Sequence, residues 1–260
     1  MWTALVTAAP TADWRLAVVL VVLVAVAVVT SRVADLNVEK QQVVAAARAA
    51  VQLSLVALVI AAVLTSLLWS VAFVALMFAV ASFTSQRRMQ VPGTELPWVA
   101  VAMISGAAPV IVICFASGVV PLNGAGMIPI AGIVIGNTMT ASTLAGRRAF
   151  AELSRQMGCY EAALGLGMRS TDAAMLVINP TASEGLLPGL DQTRTVGLVT
   201  LPGAFIGVLL GGGTPIEAGA AQLLVLIGIL AAQALTTATL IRLIARARVV
   251  RLDLRDRHPR

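Results

Sequence analysis

Charge is scarce in this chain of 260 residues: Asp, Glu, Lys and Arg together make up 12% of it, whereas apolar residues make up 59%. A soluble domain carries about 25% charged residues, so this balance excludes an ordinary soluble enzyme and a disordered protein. Cysteine is scarce too. Since Cys114 lies in an apolar run and Cys159 in a polar stretch, we expect no disulfide between them. The composition predicts an all-α, polytopic membrane protein with a single transmembrane domain, residues 1–260.

Side chains for catalysis and for ATP hydrolysis are missing from the expected places. The single histidine, His258, lies in the C-terminal tail, and no Asp or Glu lies clearly within an apolar run. An intramembrane protease needs a Ser–His pair or a metal triad, and a gradient-driven transporter is expected to carry an intramembrane carboxylate. The run from Gly211 to Thr214 lacks the lysine of a phosphate-binding loop. We therefore expect no catalysis by the chain itself, and keep a secondary transporter only as an alternative.

Long apolar runs are what the chain has instead. We predict seven spans, at about 14–31, 48–66, 67–84, 98–120, 127–146, 195–213 and 219–241. The first run is long for a signal peptide and no Lys or Arg precedes it within the first ten residues, so we interpret it as a retained span. Seven spans place every Lys and Arg except Arg15 on one side, which the positive-inside rule assigns to the cytoplasm. The N-terminus is then outside, the C-terminus inside, and the protein is a multi-pass protein of the cell membrane.

The sizeable polar segment between spans lies at about 147–194, on the predicted cytoplasmic side. We predict that a helix continues out of the fifth span and breaks at Gly165 and Gly167. A second helix should follow, with Ser170 or Thr171 as its N-cap.

Charged residues outside the spans are assigned surface roles. The tail, residues 242–260, is predicted to be a basic helix end that runs into a disordered terminus and contacts anionic lipid. Glu95 precedes an aromatic residue and is predicted to lie at the membrane interface. Asp172, Glu184 and Asp191 are predicted to be solvated or paired with arginines.

Polar residues within the spans are candidates for a transport pathway. Asn137 falls near the middle of the fifth span, where an unbonded amide is costly, so it either bonds another helix or lines a pathway. Met139 offers a thioether to a metal, or simply packs. The candidate pathway residues are Asn137, Met139, Thr140 and Gln52. The sequence leaves any metal ligands unassigned.

The sixth predicted span has Pro202 and Gly203 near its middle. A proline there frees a backbone carbonyl and kinks the helix. We interpret the pair as either an architectural kink or a gating hinge.

Three stretches resemble the FetB-type permease family, the membrane subunit of an iron-export ABC transporter, which also includes plant proteins linked to aluminium tolerance. They are residues 128–140 (IPIAGIVIGNTMT), 161–167 (EAALGLG) and 195–203 (TVGLVTLPG). The second stretch also resembles the ATPase-coupling pattern of importer-type ABC permeases, with Val177 and Pro180 at matching offsets and Asn179 in place of the usual Leu. The coupling residues that this resemblance implies are Glu161, Ala162, Ala163, Gly165 and Gly167.

The resemblance also implies partners and a cargo. It implies a homodimer in the lipid bilayer that works with two copies of a cytosolic ABC ATPase and exports iron or another metal ion. ATP is then used by the partner, this chain binds no cofactor, and no nucleic acid is involved. Plant relatives are associated with a nucleotide sugar, so a permease of the same architecture for a non-metal cargo is the alternative.

Overall fold

The computed structural model describes residues 13–254. Over that range the chain forms α-helices, short 3-10 turns and no β-strand, as the composition predicts. The helices are α1 (Trp14–Val33), α2 (Glu39–Leu64), α3 (Leu67–Arg88), α4 (Leu96–Ala116), α5 (Gly124–Arg155), α6 (Met157–Gly165), α7 (Ser170–Ile178), α8 (Leu187–Thr195), α9 (Gly203–Leu210) and α10 (Pro215–Ala245). Six of these described helices, α1 to α5 and α10, are long and apolar enough to cross a membrane. The protein is therefore a polytopic helical membrane protein.

The chain divides into two compact units, Met1–Thr65 and Ser66–Arg260. In the first unit, α1 and α2 pack against each other, and the Gln42 Nε2 donates to the Ser31 Oγ at 2.8 Å. Most of their apolar side chains are exposed, as side chains that meet lipid tails are. The second span begins earlier than predicted, at Glu39 instead of about residue 48, because the alanine-rich start of the predicted span extends the helix toward its N-terminus.

The second unit has a core of three long helices that run in the same direction. A Cβ added at Gly132 of α5 would lie 2.9 Å from the Met77 Cε of α3. Ten residues further along α5, the Ser142 Oγ accepts from the Ser85 Oγ of α3 at 3.0 Å. The two helices are therefore parallel.

Helix α10 also runs parallel to α5, and α4 runs antiparallel to α10. The Gln233 Nε2 of α10 donates to the Asn137 Oδ1 of α5 at 3.4 Å, and Gly146 of α5 lies against Leu240 further along α10. Gly106 of α4 lies against Ala232, whereas Val110, one turn later, lies against Gly228. Their small residues let the helix backbones approach closely, as membrane helix pairs require.

The chain between α5 and α10 must return across the bundle, because these two helices are parallel. It does so in pieces. Gly185 lies against Ala145 of α5, Gly189 of α8 lies against Gln233, and the Phe205 amide of α9 donates to the Gln222 Oε1 at 3.2 Å. We call residues 179–210 the broken crossing.

The prediction of one continuous span at 195–213 was wrong. Residues 196–202 are not helical, and α9 has 8 residues, which is about 12 Å of helix against a hydrocarbon core of about 30 Å. Gly197 has a φ of +81° and Pro202 lacks an amide, so the helix cannot continue through them. Hydropathy had indicated the right composition for a span, but not whether the helix is continuous.

The segment predicted to be cytoplasmic matches the prediction in one respect and departs from it in another. A break separates α6 from α7 at the predicted glycines, and Gly167 has a φ of +87°. The predicted side-chain cap was wrong: Arg169 is the N-cap and its side chain caps nothing, while the Ser170 hydroxyl bonds the Tyr160 hydroxyl at 3.2 Å.

The C-terminal segment, residues 246–254, is packed, so the predicted disordered tail was wrong for this part. Val249 and Val250 are buried, and the Glu95 Oε2 accepts from the Val250 amide at 2.6 Å. Glu95 is itself buried, which corrects its predicted interfacial place. Residues 255–260 of the predicted tail lie outside the described range.

Candidate functional site

The predicted ATPase-coupling residues lie on and just after α6, one of two short helices. We call these two helices and the turn between them, residues 157–178, the α6–α7 elbow. Tyr160 and Ala163 are buried and fix one side of α6. The opposite side is free: Glu161 and Ala162 are exposed, and Leu166 at the turn is 86% exposed. The free side of α6 and the tip of the elbow are therefore accessible from outside the bundle.

The elbow is connected to the bundle through α7. This helix buries Ala173, Ala174, Val177 and Ile178, and it packs on both α5 and α10. The Arg169–Asp172 ion pair, with a 2.8 Å Nε–Oδ2 distance, lies at its first turn, as one of the predicted arginine pairings. Helix α7 therefore joins the elbow to both of these parallel core helices.

Asn137 makes an interhelical bond, which is one of the two alternatives predicted for it. Its Nδ2 donates to the Ile133 carbonyl of its own helix at 2.9 Å, and its Oδ1 accepts from Gln233. Thr140 bonds within α5: its Oγ1 donates to the Gly136 carbonyl at 3.1 Å. Met139 is partly buried against the hydrophobic core. The structure thus gives Asn137 a structural partner and Met139 a packing role.

The other two predicted positions lie elsewhere. Gln52 is exposed on α2, in the first unit. Pro202 is the N-cap of α9 and Gly203 its first residue, so the pair begins a short helix and does not kink a long one.

Helix α10 has a polar face that was not predicted from the sequence. Gln222, Gln233, Thr236 and Thr237 are all buried, and the Gln233 Oε1 and both threonine hydroxyls have no hydrogen-bond partner within residues 13–254. The signal was available: Gln222 and Gln233 are eleven positions apart, which is about three helical turns, so they share one face.

A cavity of about 760 Å³ lies between α5, α9 and α10, at the end of the bundle opposite the elbow. Its walls are largely glycine, alanine and aliphatic side chains, and Glu217 is the charged residue that lines it. The Glu217 Oε2 accepts from the Thr214 amide at 2.8 Å, as part of the N-terminal cap of α10.

Ligands for a resident metal do not converge in the described part of the chain. No group of three or more His, Cys, Asp or Glu side chains that could hold a metal ion occurs within residues 13–254. Both cysteines are free, as expected: Cys114 is buried in α4 and Cys159 is exposed on α6.

Comparison with known proteins gives a consistent set of relatives. The UPF0014 model, described as an uncharacterised protein family, matches residues 14–249. UPF0014 membrane protein STAR2 of Oryza sativa subsp. japonica is 33% identical over 207 residues, which cover 78% of this chain and 72% of that protein. Protein ALUMINUM SENSITIVE 3 of Arabidopsis thaliana is 30% identical over 209 residues, covering 79% and 76%.

A bacterial relative carries a functional name. The protein of Escherichia coli (strain K12) named "Probable iron export permease protein FetB" is 28% identical over 221 residues, which cover 83% of this chain and 84% of that protein. No solved structure matches the chain at the significance of these matches.

Proposed function

Since the chain belongs to the UPF0014 family of membrane proteins, we propose that it is the permease subunit of an ABC transporter. A separate cytosolic ATPase drives it through the α6–α7 elbow, with two ATPase copies and two copies of this chain in the complex. The observation that carries the ATPase coupling is the elbow itself, with Leu166 exposed at its tip and α7 packed on α5 and α10. The cargo is iron or another metal ion, in keeping with the name of the Escherichia coli relative.

The orientation follows from where the arginines lie. Helices α3, α5 and α10 are parallel, and Arg88, Arg147 and Arg242 lie toward their C-terminal ends, where the elbow also lies. By the positive-inside rule this end faces the cytoplasm. The broken crossing returns the chain to the outer side before α10, which supports seven crossings with the N-terminus outside.

The mechanism is alternating access between two copies of the chain. When ATP closes the ATPase dimer, the elbow is pulled and α7 moves against α5 and α10. Gly185 and Gly189 then slide along these helices, since glycine leaves no side chain to lock the contact. Residues 196–203 act as the hinge, and the Asn137–Gln233 contact opens toward one face and then the other.

The cargo would meet neutral oxygen atoms along this route. The Gln233 Oε1 has no partner within the described residues, and the Asn137 Oδ1 lies beside its amide group. Amide oxygens without a carboxylate hold a cation weakly, and weak binding suits a site that must release its ion at every cycle.

A non-metal cargo is the second candidate. The cavity between α5, α9 and α10, at about 760 Å³ and largely apolar, has the size and lining of a small-molecule site rather than an ion site. Stimulation of the ATPase by ferrous iron or by a nucleotide sugar separates these two cargoes.

The first experiment measures ATP-dependent uptake of ferrous iron into inverted membrane vesicles that contain this chain and its ATPase. Gly167→Glu should abolish uptake while the protein still inserts, because only glycine adopts the φ of +87° at the elbow without strain. Gly93→Glu is the matched control: it adds the same charge outside the elbow, at an exposed glycine before α4 with open space around it and no positive φ, and it should transport normally. Normal transport by the Gly167 variant would reject the coupling role of the elbow.

A further inference from the structure

A small arginine-lined pocket lies at the end of the bundle that carries the elbow. Its volume is about 210 Å³, and its lining is Arg88, Met89, Gln90, Arg147, Ala151 and Arg251. Three of the lining residues are arginines, and they come from three separate parts of the chain: the end of α3, the last third of α5 and the C-terminal segment. We call it the arginine pocket.

The pocket is held in place by the surrounding fold. Met89 is 1% exposed and fills the space beside Gly146, where an added Cβ would lie 2.1 Å from the Met89 Sδ. Gln90 has a φ of +59°, and its amide donates to the Arg87 carbonyl at 3.1 Å, which ends α3 at a fixed point. Arg88 is therefore presented by a packed helix end.

Arg251 is fixed from the opposite side. Its Nε and Nη2 atoms donate to the two Asp253 carboxylate oxygens at 2.5 and 2.6 Å, and its Nη2 also reaches the Ser154 hydroxyl at 2.9 Å. The Arg251 guanidinium lowers the pKa of Asp253 below its ordinary value, so Asp253 stays ionised and balances Arg251 near neutral pH.

The pocket keeps an excess of positive charge. Neither Arg88 nor Arg147 makes an ion pair with a carboxylate within residues 13–254. The neighbouring Glu184 is bound to Arg148, at 2.5 Å between its Oε2 and the Arg148 Nε. Positive charges gathered in one pocket repel each other, and an anion that accepts several guanidinium hydrogen bonds relieves that repulsion.

The position of the pocket relative to the membrane indicates that the anion is a lipid phosphate. Arg88 ends the 22-residue helix α3, which is about 33 Å long. Arg147 follows the start of α5 at Gly124 by 23 positions, or about 35 Å of helix. Both arginines therefore lie just beyond a hydrocarbon core of about 30 Å, at the level of the lipid phosphates. Leu144, one turn closer to the membrane on α5, is exposed beneath Arg147 and offers an apolar surface to an acyl chain.

We propose that the arginine pocket binds the phosphate of an anionic phospholipid of the cytoplasmic leaflet. The bound lipid joins the end of α3, the last third of α5 and the C-terminal segment. It is a site separate from the elbow and from the proposed pathway, and it does not depend on the cargo.

The test is native mass spectrometry of the full-length protein in a neutral detergent, titrated with phosphatidylglycerol. The double variant R88Q/R147Q should bind the first lipid about tenfold more weakly or worse, since two charge-assisted contacts are lost. The control R87Q/R194Q removes the same two charges elsewhere: Arg87 stacks over the Phe83 ring at 5.0 Å and Arg194 pairs with Asp191. The control should bind within about twofold of the wild type.

Three results would overturn the proposal. Wild-type lipid binding by R88Q/R147Q would mean that the two arginines do not bind the lipid, and an equal loss in the control would indicate diffuse charge. Binding of inorganic phosphate alone that depends on Arg88 and Arg147, with no such dependence for the lipid, would assign the pocket to a soluble phosphate compound. If the double variant fails to fold, the single variants R88Q and R147Q, each expected to lose part of the affinity, decide the same question.

Discussion

At the scale of single residues, the side chain of Gln233 occupies the space that any side chain at position 189 would need. A Cβ added to Gly189 would lie 2.1 Å from the Gln233 Oε1, and Gln233 is 1% exposed, so it has little room to move. The close contact of α8 with α10 therefore depends on the absence of one carbon atom. Gln233 in turn reaches Asn137, so the glycine also fixes the position of the amide that bonds α5.

Gly189→Ala should lower the free energy of unfolding by about 1–3 kcal/mol, the usual cost of overpacking a filled site. Gly219→Ala, on α10 with open space around it, should be neutral or slightly stabilising. Thermal unfolding in detergent compares the two. In a Gln233→Ala background, Gly189→Ala should cost less than it does in the wild type; an equal cost in both backgrounds would mean that the proposed clash is not the cause.

Glu95 shows what residue-level sequence reasoning could not reach. Its neighbours in the sequence indicated an interface, yet its partner is the amide of Val250, 155 positions later. Periodicity and composition report on local structure, and this contact exists only because the C-terminal segment folds back. The two glutamines of α10 differ from Glu95, because their spacing in the sequence was sufficient to predict that they share one helix face.

At the scale of elements, the C-terminal segment is anchored to the start of α4 by that one carboxylate. Glu95→Ala would leave the Val250 amide without its acceptor, at a cost of about 1–3 kcal/mol, and residues 246–254 should become sensitive to limited proteolysis. Glu95→Gln keeps an oxygen acceptor and should protect the segment better. Equal proteolysis of both variants and the wild type would mean that the apolar contacts of Val249 and Val250 suffice.

The elbow and the broken crossing illustrate how far elements can be predicted. The break near Gly165 and Gly167 was predictable because glycine marks it locally, and the left-handed φ of Gly167 confirms the reason. The interruption at 196–202 was not predicted, although a kink at Pro202 was. The reason is that hydropathy is averaged over a window of residues, and the average does not show whether each backbone amide has a partner.

At the scale of the whole molecule, the distribution of arginines predicted an odd number of crossings, and the parallel directions of α5 and α10 agree with it.

The two cysteines of the protein can be used to test its orientation in the membrane. Cys159 is exposed on the elbow, whereas Cys114 is 5% exposed inside the bundle. A membrane-impermeant maleimide should therefore label the wild type at Cys159, in inverted vesicles and not in intact cells.

The opposite face is tested with Ile216→Cys in a Cys159→Ser background. Ile216 is 85% exposed at the start of α10, just after the broken crossing, and should be labelled in intact cells. Labelling of both positions from one side would mean that residues 179–210 do not cross, and the seven-crossing topology would then fail. Cys159→Ser alone serves as the control for labelling elsewhere.

Breaking a crossing has a consequence for how this sequence can evolve. The gap before α9 leaves backbone amides without partners from their own helix, and the Gln222 Oε1 of α10 supplies one for Phe205. An unpaired amide is costly inside a membrane, so the interruption in one segment is tolerated because a side chain 17 positions away accepts its hydrogen bond. Position 222 and the gap are therefore coupled in one direction. A chain that closes the gap into a continuous helix releases position 222 to become apolar, whereas a chain that keeps the gap needs an acceptor for the Phe205 amide.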